Sequence, residues 1–285
     1  MTSPELHCPS CGLKLCGHPD KTCRTCGYSL HYHQKALVNP SLTLPEGFSD
    51  VQKNHLLSIE KDHFWFSPRS HLLTTLAGKH TSVHKNALEI GCGTGRLLSR
   101  WELLYHDVTA VDAHPDLVAI AARNNQKATV VHADVTSLPF DDNVFDNILS
   151  FDVLEHVDDV SMLQEARRVA HKNSRLLLSA PAFQSLWSYA DELAGHKRRY
   201  TRDSLNNILN ESGWKLTGCN YYQCALFPLI WLSRRVVKER GRTLERHPST
   251  AIAGILGLIN SCEVVLSSRF SMPFGSSIII WAEAR

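Results

Sequence analysis

The feature that most constrains the fold of this chain is a glycine-rich turn after a short apolar strand. Residues 87–96 read ALEIGCGTGR, so an acidic side chain precedes three closely spaced glycines. Glycine lets the backbone turn sharply and approach a ligand with no Cβ in the way. A helix that follows such a turn points its unpaired N–H groups and its positive dipole end into the turn. The segment therefore predicts a strand, a ligand-holding turn and a helix.

Further apolar runs with acidic residues follow along the chain. Residues 108–112 (VTAVD) and 128–134 (ATVVHAD) each end in an acid, and residues 144–157 (VFDNILSFDVLEHV) run into a loop with acids and a histidine. The first of these acids lies about twenty residues after the glycines, a spacing that suits a carboxylate binding ribose hydroxyls. The series predicts an open α/β sheet whose ligand lies beyond the carboxyl ends of its strands.

This series resembles the class I S-adenosylmethionine-dependent methyltransferases over roughly residues 84–222 and the last strand. The resemblance implies an α/β fold: a Rossmann-like, seven-stranded, mostly parallel sheet with helices on both faces. It also implies that the cofactor S-adenosylmethionine lies in the glycine turn. By this resemblance, the methionine part is bound by Glu89, Gly91, Gly93 and Gly95. The ribose is bound by Asp112 and the adenine amino group by Asp134, while Phe151 lines the cofactor pocket.

The same residues have two alternative interpretations. A dinucleotide-dependent dehydrogenase would carry the G-x-G-x-x-G spacing that positions a pyrophosphate, whereas this chain has EIGCGTG. An ordinary α/β core with incidental glycines is the other alternative, and the acids after successive strands argue against it.

Length and composition bound the remaining possibilities. A chain of 285 residues with 43% hydrophobic content is long enough for one large domain and a small appendage. A formal net charge of +2 gives no global support for polyanion binding. The sequence starts without an apolar run and lacks the ~18–20 apolar residues of a membrane span, so we expect no signal peptide and a cytoplasmic protein. Nine cysteines then indicate thiols and metal ligation rather than disulfides.

The N-terminal cysteines form two C-x-x-C pairs, CPSC at 8–11 and CRTC at 23–26. Two such pairs complete a tetrahedral site of four sulfurs, the closed geometry of structural Zn²⁺. Residues 1–38 resemble a zinc ribbon, whose metal supplies the folding free energy that a segment of this size lacks. A redox pair or an iron site is the alternative, and Cys16 or His18 could replace a ligand. The predicted ligands are Cys8, Cys11, Cys23 and Cys26.

Residues 39–83 are predicted to be a linker followed by two helices, the first from residue 49 or 50 to about 62 and the second ending near 78. Between them, residues 63–69 read HFWFSPR. This pattern resembles the N-terminal helices of a bacterial group of small-molecule methyltransferases, where they lie over the cofactor pocket. The resemblance implies that Trp65 and Arg69 help to close the site, and ordinary packing against the sheet is the alternative.

The loop after the fifth predicted strand (175–181) is rich in aromatic and ionisable groups. It reads LWSYADELAGHKRRYT over residues 186–201, and its D-x-x-x-G-H-x-R-R-Y arrangement resembles the same bacterial group. A loop in this position should line the substrate mouth. The alternative is that its basic run is solvated or pairs with Asp191 and Glu192. The predicted substrate-binding residues of the loop are Trp187, Tyr189, Asp191, Arg199 and Tyr200.

Methyl transfer requires alignment of the nucleophile and removal of its proton. Histidine titrates near neutrality and suits this task. His196 is the first candidate for the base or a substrate-positioning group, and His156 is the second. A lone histidine is more often structural, and an amine or thiol acceptor needs no base.

An insertion over residues 224–274 completes the predicted methyltransferase domain of residues 84–285. It contains two apolar segments, 225–232 and 251–266, joined by a basic stretch at 234–246 with six Lys or Arg and two Glu. The last strand follows at 276–282. The apolar segments are predicted to form a pocket wall or a homodimer interface, and peripheral contact with a membrane surface is the alternative.

The predicted function is methyl transfer from S-adenosylmethionine to an oxygen or nitrogen of a small, partly apolar acceptor, a biosynthetic intermediate. The first alternative is an RNA methyltransferase, because a four-cysteine module ahead of this fold resembles the bacterial enzymes that methylate a ribosomal guanine. The near-neutral charge argues against RNA binding, while the basic loop supports it. The second alternative is a cofactor-binding adaptor without catalysis.

Overall fold

The computed structural model describes residues 6–8, 14–15, 23, 31–33, 36–38, 42, 50–60, 66–236 and 250–285. Cys11, Cys26 and Trp65 lie outside the described residues, as does most of the predicted linker. The first described elements are two short antiparallel pairs, followed by two helices. Their bounds are β1 (Leu6–His7), β2 (Lys14–Leu15), β3 (His31–His33), β4 (Ala36–Val38), α1 (Asp50–Glu60) and α2 (Phe66–His80).

The rest of the chain alternates strands and helices, and one 3-10 turn (Gln184–Leu186) follows β9. The elements are β5 (Asn86–Ile90), α3 (Leu98–Leu104), β6 (Asp107–Asp112), α4 (Pro115–Asn124), β7 (Thr129–His132), β8 (Phe145–Phe151), α5 (Asp159–Val169), β9 (Ala170–Pro181), α6 (Tyr189–Ala194), α7 (Arg202–Glu211), β10 (Trp214–Tyr222), α8 (Phe227–Val236), α9 (Thr250–Ser267) and β11 (Ser277–Ala284).

Seven of these strands form the predicted sheet, in the order β10-β11-β9-β8-β5-β6-β7. The neighbouring pairs from β9 to β7 are parallel, and β11 runs antiparallel to both β9 and β10. This arrangement confirms the predicted Rossmann-like fold. The sheet continues beyond β7, because β4 pairs with it in parallel at Leu37 and Val131, and β3 lies outside β4. The β3–β4 pair, which the sequence assigned to the ribbon, thus extends the sheet to nine strands.

The strand patterns explain why helices cover both faces of the sheet. Parallel strands that are buried on both sides are apolar almost throughout, and Ala87, Leu88 and Ile90 of β5 are all fully buried. Successive side chains point to opposite faces. Leu88 and Ile90 pack in the apolar cluster beneath α5 and α7, while Ala87 packs in the cluster beneath α2, α3 and α4. Glu89 shares the side of Ala87, so an acid points into the second layer beside Trp101.

Candidate active site

The first glycine of the turn is needed for packing. Where β5 ends, the amides of Gly91 and Cys92 donate to the carbonyl oxygen of Val111, at 2.8 and 3.0 Å, so the turn is pinned to the end of β6. Gly91 has a φ of +76°, and a Cβ added there would lie 2.1 Å from Cγ2 of Val153. Any side chain at this position would therefore displace the loop that follows β8.

Gly93 is the glycine that faces open space. A Cβ added at Gly93 would meet Cδ2 of Leu56 at 3.8 Å and no other atom within 4 Å among the described residues. Its amide donates to Oδ2 of Asp112 at 2.8 Å, and the His114 amide donates to Oδ1 of Asp112 at 2.9 Å. Burial raises the pKa of Asp112, and these two N–H groups act in the opposite direction. The carboxylate is thus held in a fixed orientation beside the open side of the turn.

Glu89 places a buried carboxyl at the base of the same turn. Its side chain is 3% exposed, and Oε2 makes no hydrogen bond within the described part of the chain. Burial raises the pKa of Glu89 to about 8, the neighbouring Asp112 adds to this rise, and the indole of Trp101 opposes it. A buried polar atom without a partner costs free energy, so it favours a ligand that supplies one.

The other two implied cofactor residues differ in their surroundings. Asp134 is exposed at the end of β7, where its Oδ1 accepts hydrogen bonds from the amide and the hydroxyl of Thr136, at 2.8 and 2.7 Å. Phe151 is 9% exposed and stacks on Trp101 with ring centroids 5.8 Å apart. The three acids Glu89, Asp112 and Asp134 thus belong to the ends of adjacent strands, whereas Phe151 belongs to the core beneath them.

Helix α1 lies over the glycine turn. The hydroxyl of Thr94 donates to the Glu60 carboxylate at 2.7 Å, and the Arg96 guanidinium donates to the Glu60 carbonyl at 2.8 Å. At the other end of α1, Lys53 pairs with Asp50 and with Asp116 of α4, both at 2.6 Å. The helix is therefore tied down at both ends across the site.

The ends of β8 and β9 carry a second group of polar residues. Arg69 of α2 is 6% exposed, donates to the Ser179 hydroxyl at 2.7 Å and pairs with Asp152 at 2.5 Å. Asp152 lies directly after β8 with a φ of +56°, a conformation that costs free energy for a residue other than glycine. Arg69 was predicted to help close the site, but its partner Asp152 was not predicted.

Asp191 is the centre of a buried charge network in the loop after β9. It is fully buried and accepts hydrogen bonds from Nδ1 of His196 at 2.9 Å, from Arg199 at 2.7 Å and from Arg234 of α8 at 3.0 Å. Although burial alone would raise its pKa, His196 and the two arginines hold the pKa of Asp191 well below its usual range. Asp191 is therefore an ionised carboxylate, and Nδ1 of His196 carries the proton between them.

The two predicted histidines lie together. The rings of His156 and His196 are 4.9 Å apart between centroids and meet edge to face. Glu155 is 1% exposed, and its Oε1 lies 3.9 Å from Nε2 of His196. Burial raises the pKa of Glu155 well above its usual range, and the nearby Asp152 adds to the rise. Ligand atoms of Glu155, His156 and His196 lie within 4.8 Å of one another, so this group has the geometry to hold a metal ion.

A second acidic group with such geometry, Asp50 with His114 and Asp116, lies where the starts of α1 and α4 meet. Lys53 bridges its two carboxylates and already supplies the opposite charge. A cation is therefore less favoured at this group than at the histidines.

The remaining predicted loop residues differ in burial. Tyr200 is 2% exposed and donates its hydroxyl toward the Leu154 carbonyl and Asp159, both at 3.1 Å, while Arg198 pairs with Asp159 at 2.7 Å. Tyr189 is exposed and Trp187 is half-buried. Arg199 pairs with Asp191, as in the alternative given above for the basic run of this loop. Asp159 and Arg234 were not predicted, because each lies far along the chain from its partner.

Comparison with known proteins finds methyltransferases among the relatives of this chain. A family model described as "Methyltransferase domain" matches residues 88–178. The Mycobacterium tuberculosis protein "Probable S-adenosylmethionine-dependent methyltransferase Rv3030" is 25% identical over 199 residues, which are 69% of this chain and 70% of that protein. The mitochondrial ubiquinone biosynthesis O-methyltransferase of Schizosaccharomyces pombe is 28% identical over 213 residues, 59% of this chain and 77% of that protein.

A solved structure shows the same fold. Phosphoethanolamine N-methyltransferase 2 of Haemonchus contortus, in complex with S-adenosyl-L-methionine, has a TM-score of 0.53 and 15% identity. The match covers 84% of this chain and 58% of that one.

Proposed function

Because the chain is an S-adenosylmethionine-dependent methyltransferase, we propose that it transfers the methyl group to an oxygen or nitrogen of a small, partly apolar acceptor. The observation that carries the proposal is the juxtaposition of two sites at one edge of the sheet. The glycine turn around Gly93 follows β5 and is bonded to Asp112 at the end of β6, and the Asp191–His196 pair belongs to the loop after β9. The carboxyl ends of these parallel strands meet at the same edge, where α/β proteins bind their ligands.

The residues present fit the cofactor. Glu89 offers an unpaired buried carboxylate oxygen for the ammonium group, Asp112 a fixed carboxylate for the ribose hydroxyls, and Asp134 an acceptor for the adenine amino group. The open side of Gly93 leaves room for the backbone to approach the ligand. When bound, S-adenosylmethionine supplies an electrophilic methyl group on a positively charged sulfur.

The chain's own residues supply proton transfer and orientation. The Asp191 carboxylate accepts from Nδ1 of His196, which fixes the ring and leaves Nε2 with its lone pair. Nε2 can then take the proton from an acceptor hydroxyl as the oxygen attacks. His156, whose ring lies against that of His196, is the second candidate for this task. Because an amine acceptor needs no base, the presence of a base favours a hydroxyl over an amine as the acceptor.

The charge network favours a small molecule over RNA. Arg198 pairs with Asp159 and Arg199 pairs with Asp191, so their charges are compensated within the protein. Phosphate contacts require cationic groups that are available to the nucleic acid. The name of the Schizosaccharomyces pombe relative, a ubiquinone biosynthesis O-methyltransferase, supports oxygen methylation of an apolar acceptor.

Transfer of labelled methyl groups tests the acceptor class. The purified chain is incubated with S-adenosylmethionine carrying a tritiated methyl group, together with either total RNA or a small-molecule extract. We expect label in the organic-soluble small-molecule fraction. Label found only in RNA would overturn the proposed acceptor class, and label in neither fraction would support the non-catalytic adaptor.

Removing the Asp112 carboxylate should weaken cofactor binding. Hydrogen bonds to a charged group contribute about 1.5–3 kcal/mol, so Asp112→Ala should raise the dissociation constant for S-adenosylmethionine about 10- to 100-fold. Titration calorimetry measures this change. Asp107→Ala is the matched control, because Asp107 begins the same strand at the opposite edge of the sheet. Equal affinities for the two variants would refute the ribose assignment.

Cofactor affinity should also depend on pH through Glu89. In the free protein its pKa is raised to about 8, so the carboxyl is largely protonated at neutral pH. An ammonium group beside it favours the carboxylate, and binding then releases a proton. Affinity should therefore rise roughly 25-fold from about pH 6 to 7.5 and level off as the pH passes the raised pKa. Glu89→Gln cannot ionise and should remove this part of the pH dependence. An unchanged pH profile in the variant would exclude Glu89 as the partner of the ammonium.

We also propose that Cys8, Cys11, Cys23 and Cys26 hold a structural Zn²⁺. Cys8 and Cys23 come one from each C-x-x-C pair, and both are buried, at 2% and 3% exposure. Their burial at the start of the chain supports a shared centre. Four thiolates leave no open coordination position, so the metal would stabilise the fold.

Metal analysis should find one equivalent of zinc in the purified chain. Cys23→Ser should lose most of the zinc, because a structural site needs all four ligands. Cys262→Ser, which changes an exposed thiol of α9, is the control and should retain it. Iron in place of zinc, or equal zinc in both variants, would contradict the proposal.

A further inference from the structure

Helix α9 has its apolar and polar faces reversed relative to a helix that packs on a core. Its exposed positions include Ile255 at 60%, Leu258 at 67%, Val265 at 54% and Leu266 at 52%. With 3.6 residues per turn these positions share one face. The opposite, buried face carries polar side chains, with Asn260, Glu263 and Ser267 between 0% and 4% exposed.

Hydrogen bonds hold the polar face inward. The Glu263 carboxylate accepts from the backbone amides of Cys224 and Ala225, at 2.8 and 3.1 Å, just before α8. The Asn220 amide of β10 donates to the Ser267 carbonyl at 2.7 Å. Turning the apolar face of α9 inward would break these bonds and leave a buried carboxylate without partners. The apolar face is therefore fixed toward the outside.

Exposed apolar residues also lie outside α9. Leu229 and Leu232 of α8 are 51% and 54% exposed, and Phe270 after α9 is 64% exposed. Phe274 is also exposed and contacts Phe227 at the start of α8, with ring centroids 5.2 Å apart. Single exposed apolar residues are normal, but a surface of several on neighbouring elements indicates an interaction.

The charged residues of α9 and of the sequence beside it favour one kind of partner. The only charged residue of α9 is Glu263, which faces inward. The sequence between the two helices, residues 237–249, contains four Lys or Arg and two Glu, and Arg269 follows α9. An apolar helix face flanked by cationic residues suits the interface of an anionic bilayer. Among the described residues, no helix is long and apolar enough to cross a membrane.

We propose that the exposed apolar face of α8 and α9, which we call the apolar surface (Leu229, Leu232, Ile255, Leu258, Val265, Leu266, Phe270), rests on an anionic lipid bilayer. The helices would lie in the plane of the interface, with Arg269 near the lipid headgroups. The inference goes beyond the proposed function and does not depend on it, because binding to lipid is measured without turnover.

The apolar surface is connected to the proposed active site. Arg234 of α8 pairs with Asp191 and also donates to the Leu186 carbonyl. Asp191 in turn holds His196. A bilayer seated on α8 therefore lies one ion pair away from the loop that carries the proposed base, which suits an acceptor that is supplied from lipid.

Vesicle flotation of the full chain tests the proposal. We expect the protein to float with vesicles of phosphatidylcholine and phosphatidylserine, and to bind vesicles of phosphatidylcholine alone about tenfold less, because the cationic residues attract anionic lipid. High salt should weaken binding to the mixed vesicles. The double variant Ile255→Asp with Leu258→Asp should lose at least about tenfold in binding, because it places charge in the apolar interface.

Leu103→Asp provides the control, since Leu103 of α3 is 81% exposed and lies outside the apolar surface. It should bind vesicles like the natural chain. Circular dichroism and S-adenosylmethionine binding of the double variant should be unchanged, which separates lost lipid contact from misfolding and from failure of the proposed function. Absence of binding to anionic vesicles would overturn the proposal. So would a dimer, detected by sedimentation, that the double variant dissociates while vesicle binding is unaffected.

Discussion

Replacing His196 with glutamine should lower turnover about 10²- to 10⁴-fold, the contribution typical of a positioned general base. Glutamine keeps a polar side chain in the space between Asp191 and Glu155 but cannot accept a proton from the acceptor. The affinity for S-adenosylmethionine should stay within about twofold, because the cofactor residues lie on other strands and act independently. Single-turnover methyl transfer measures the first quantity, and titration calorimetry measures the second.

The pH profile separates a base from a merely structural histidine. A general base produces a limb in the pH profile of turnover at low pH, and His196→Gln should lack that limb. His106→Gln is a matched control, since His106 also pairs with an aspartate, Asp107, but lies exposed at the opposite edge of the sheet. Full activity in His196→Gln would indicate that His156 is the general base, or that the acceptor needs no base.

Replacing Asp191 with asparagine should lower the free energy of unfolding by about 3–5 kcal/mol, the range for removing one partner of a buried ion pair. Asparagine has nearly the same shape, so the loss reports charge rather than volume. Arg199, whose side chain is 4% exposed, would lose its compensating charge, and Arg234 would lose the bond that ties α8 to the loop. Chemical denaturation measures the change in unfolding free energy.

Glu192→Gln is the control for Asp191→Asn, because it removes the neighbouring carboxylate at an exposed position. Its unfolding free energy should change by less than about 0.5 kcal/mol. Asp191→Asn should also reduce turnover, since His196 would lose the carboxylate that orients it. A stability for Asp191→Asn equal to that of Glu192→Gln would mean that the network contributes little to the fold.

The fold could be predicted because local patterns determine it. Apolar strands that end in acids, separated by stretches suited to helices, specify a parallel sheet and place its ligand edge. β6, β8 and β10 lie where the sequence placed them, and the predicted helix start at residue 49 or 50 agrees with α1. The β3–β4 extension of the sheet could not be predicted, because its pairing with β7 joins segments far apart in the chain.

The site was only partly predictable for the same reason. His156 and His196 were predicted from their residue type near strand ends, and Asp191 from the arrangement of its loop. The ion pairs of Arg69 with Asp152 and of Asp191 with Arg234 join residues far apart in the sequence, and no local pattern predicts them. The sequence likewise could not show which glycine faces open space, since that depends on Val153 lying against Gly91. In α9, a mostly apolar composition concealed that Asn260, Glu263 and Ser267 lie on the buried face.

The central claim is that the cleft bounded by Glu89, Gly93 and Asp112 binds S-adenosylmethionine. Titration calorimetry of the purified full chain tests it most directly. The account predicts saturable binding at one site per chain, with S-adenosylhomocysteine as a competitor and a nicotinamide dinucleotide without effect. Absence of saturable binding, or displacement by the dinucleotide alone, would contradict it.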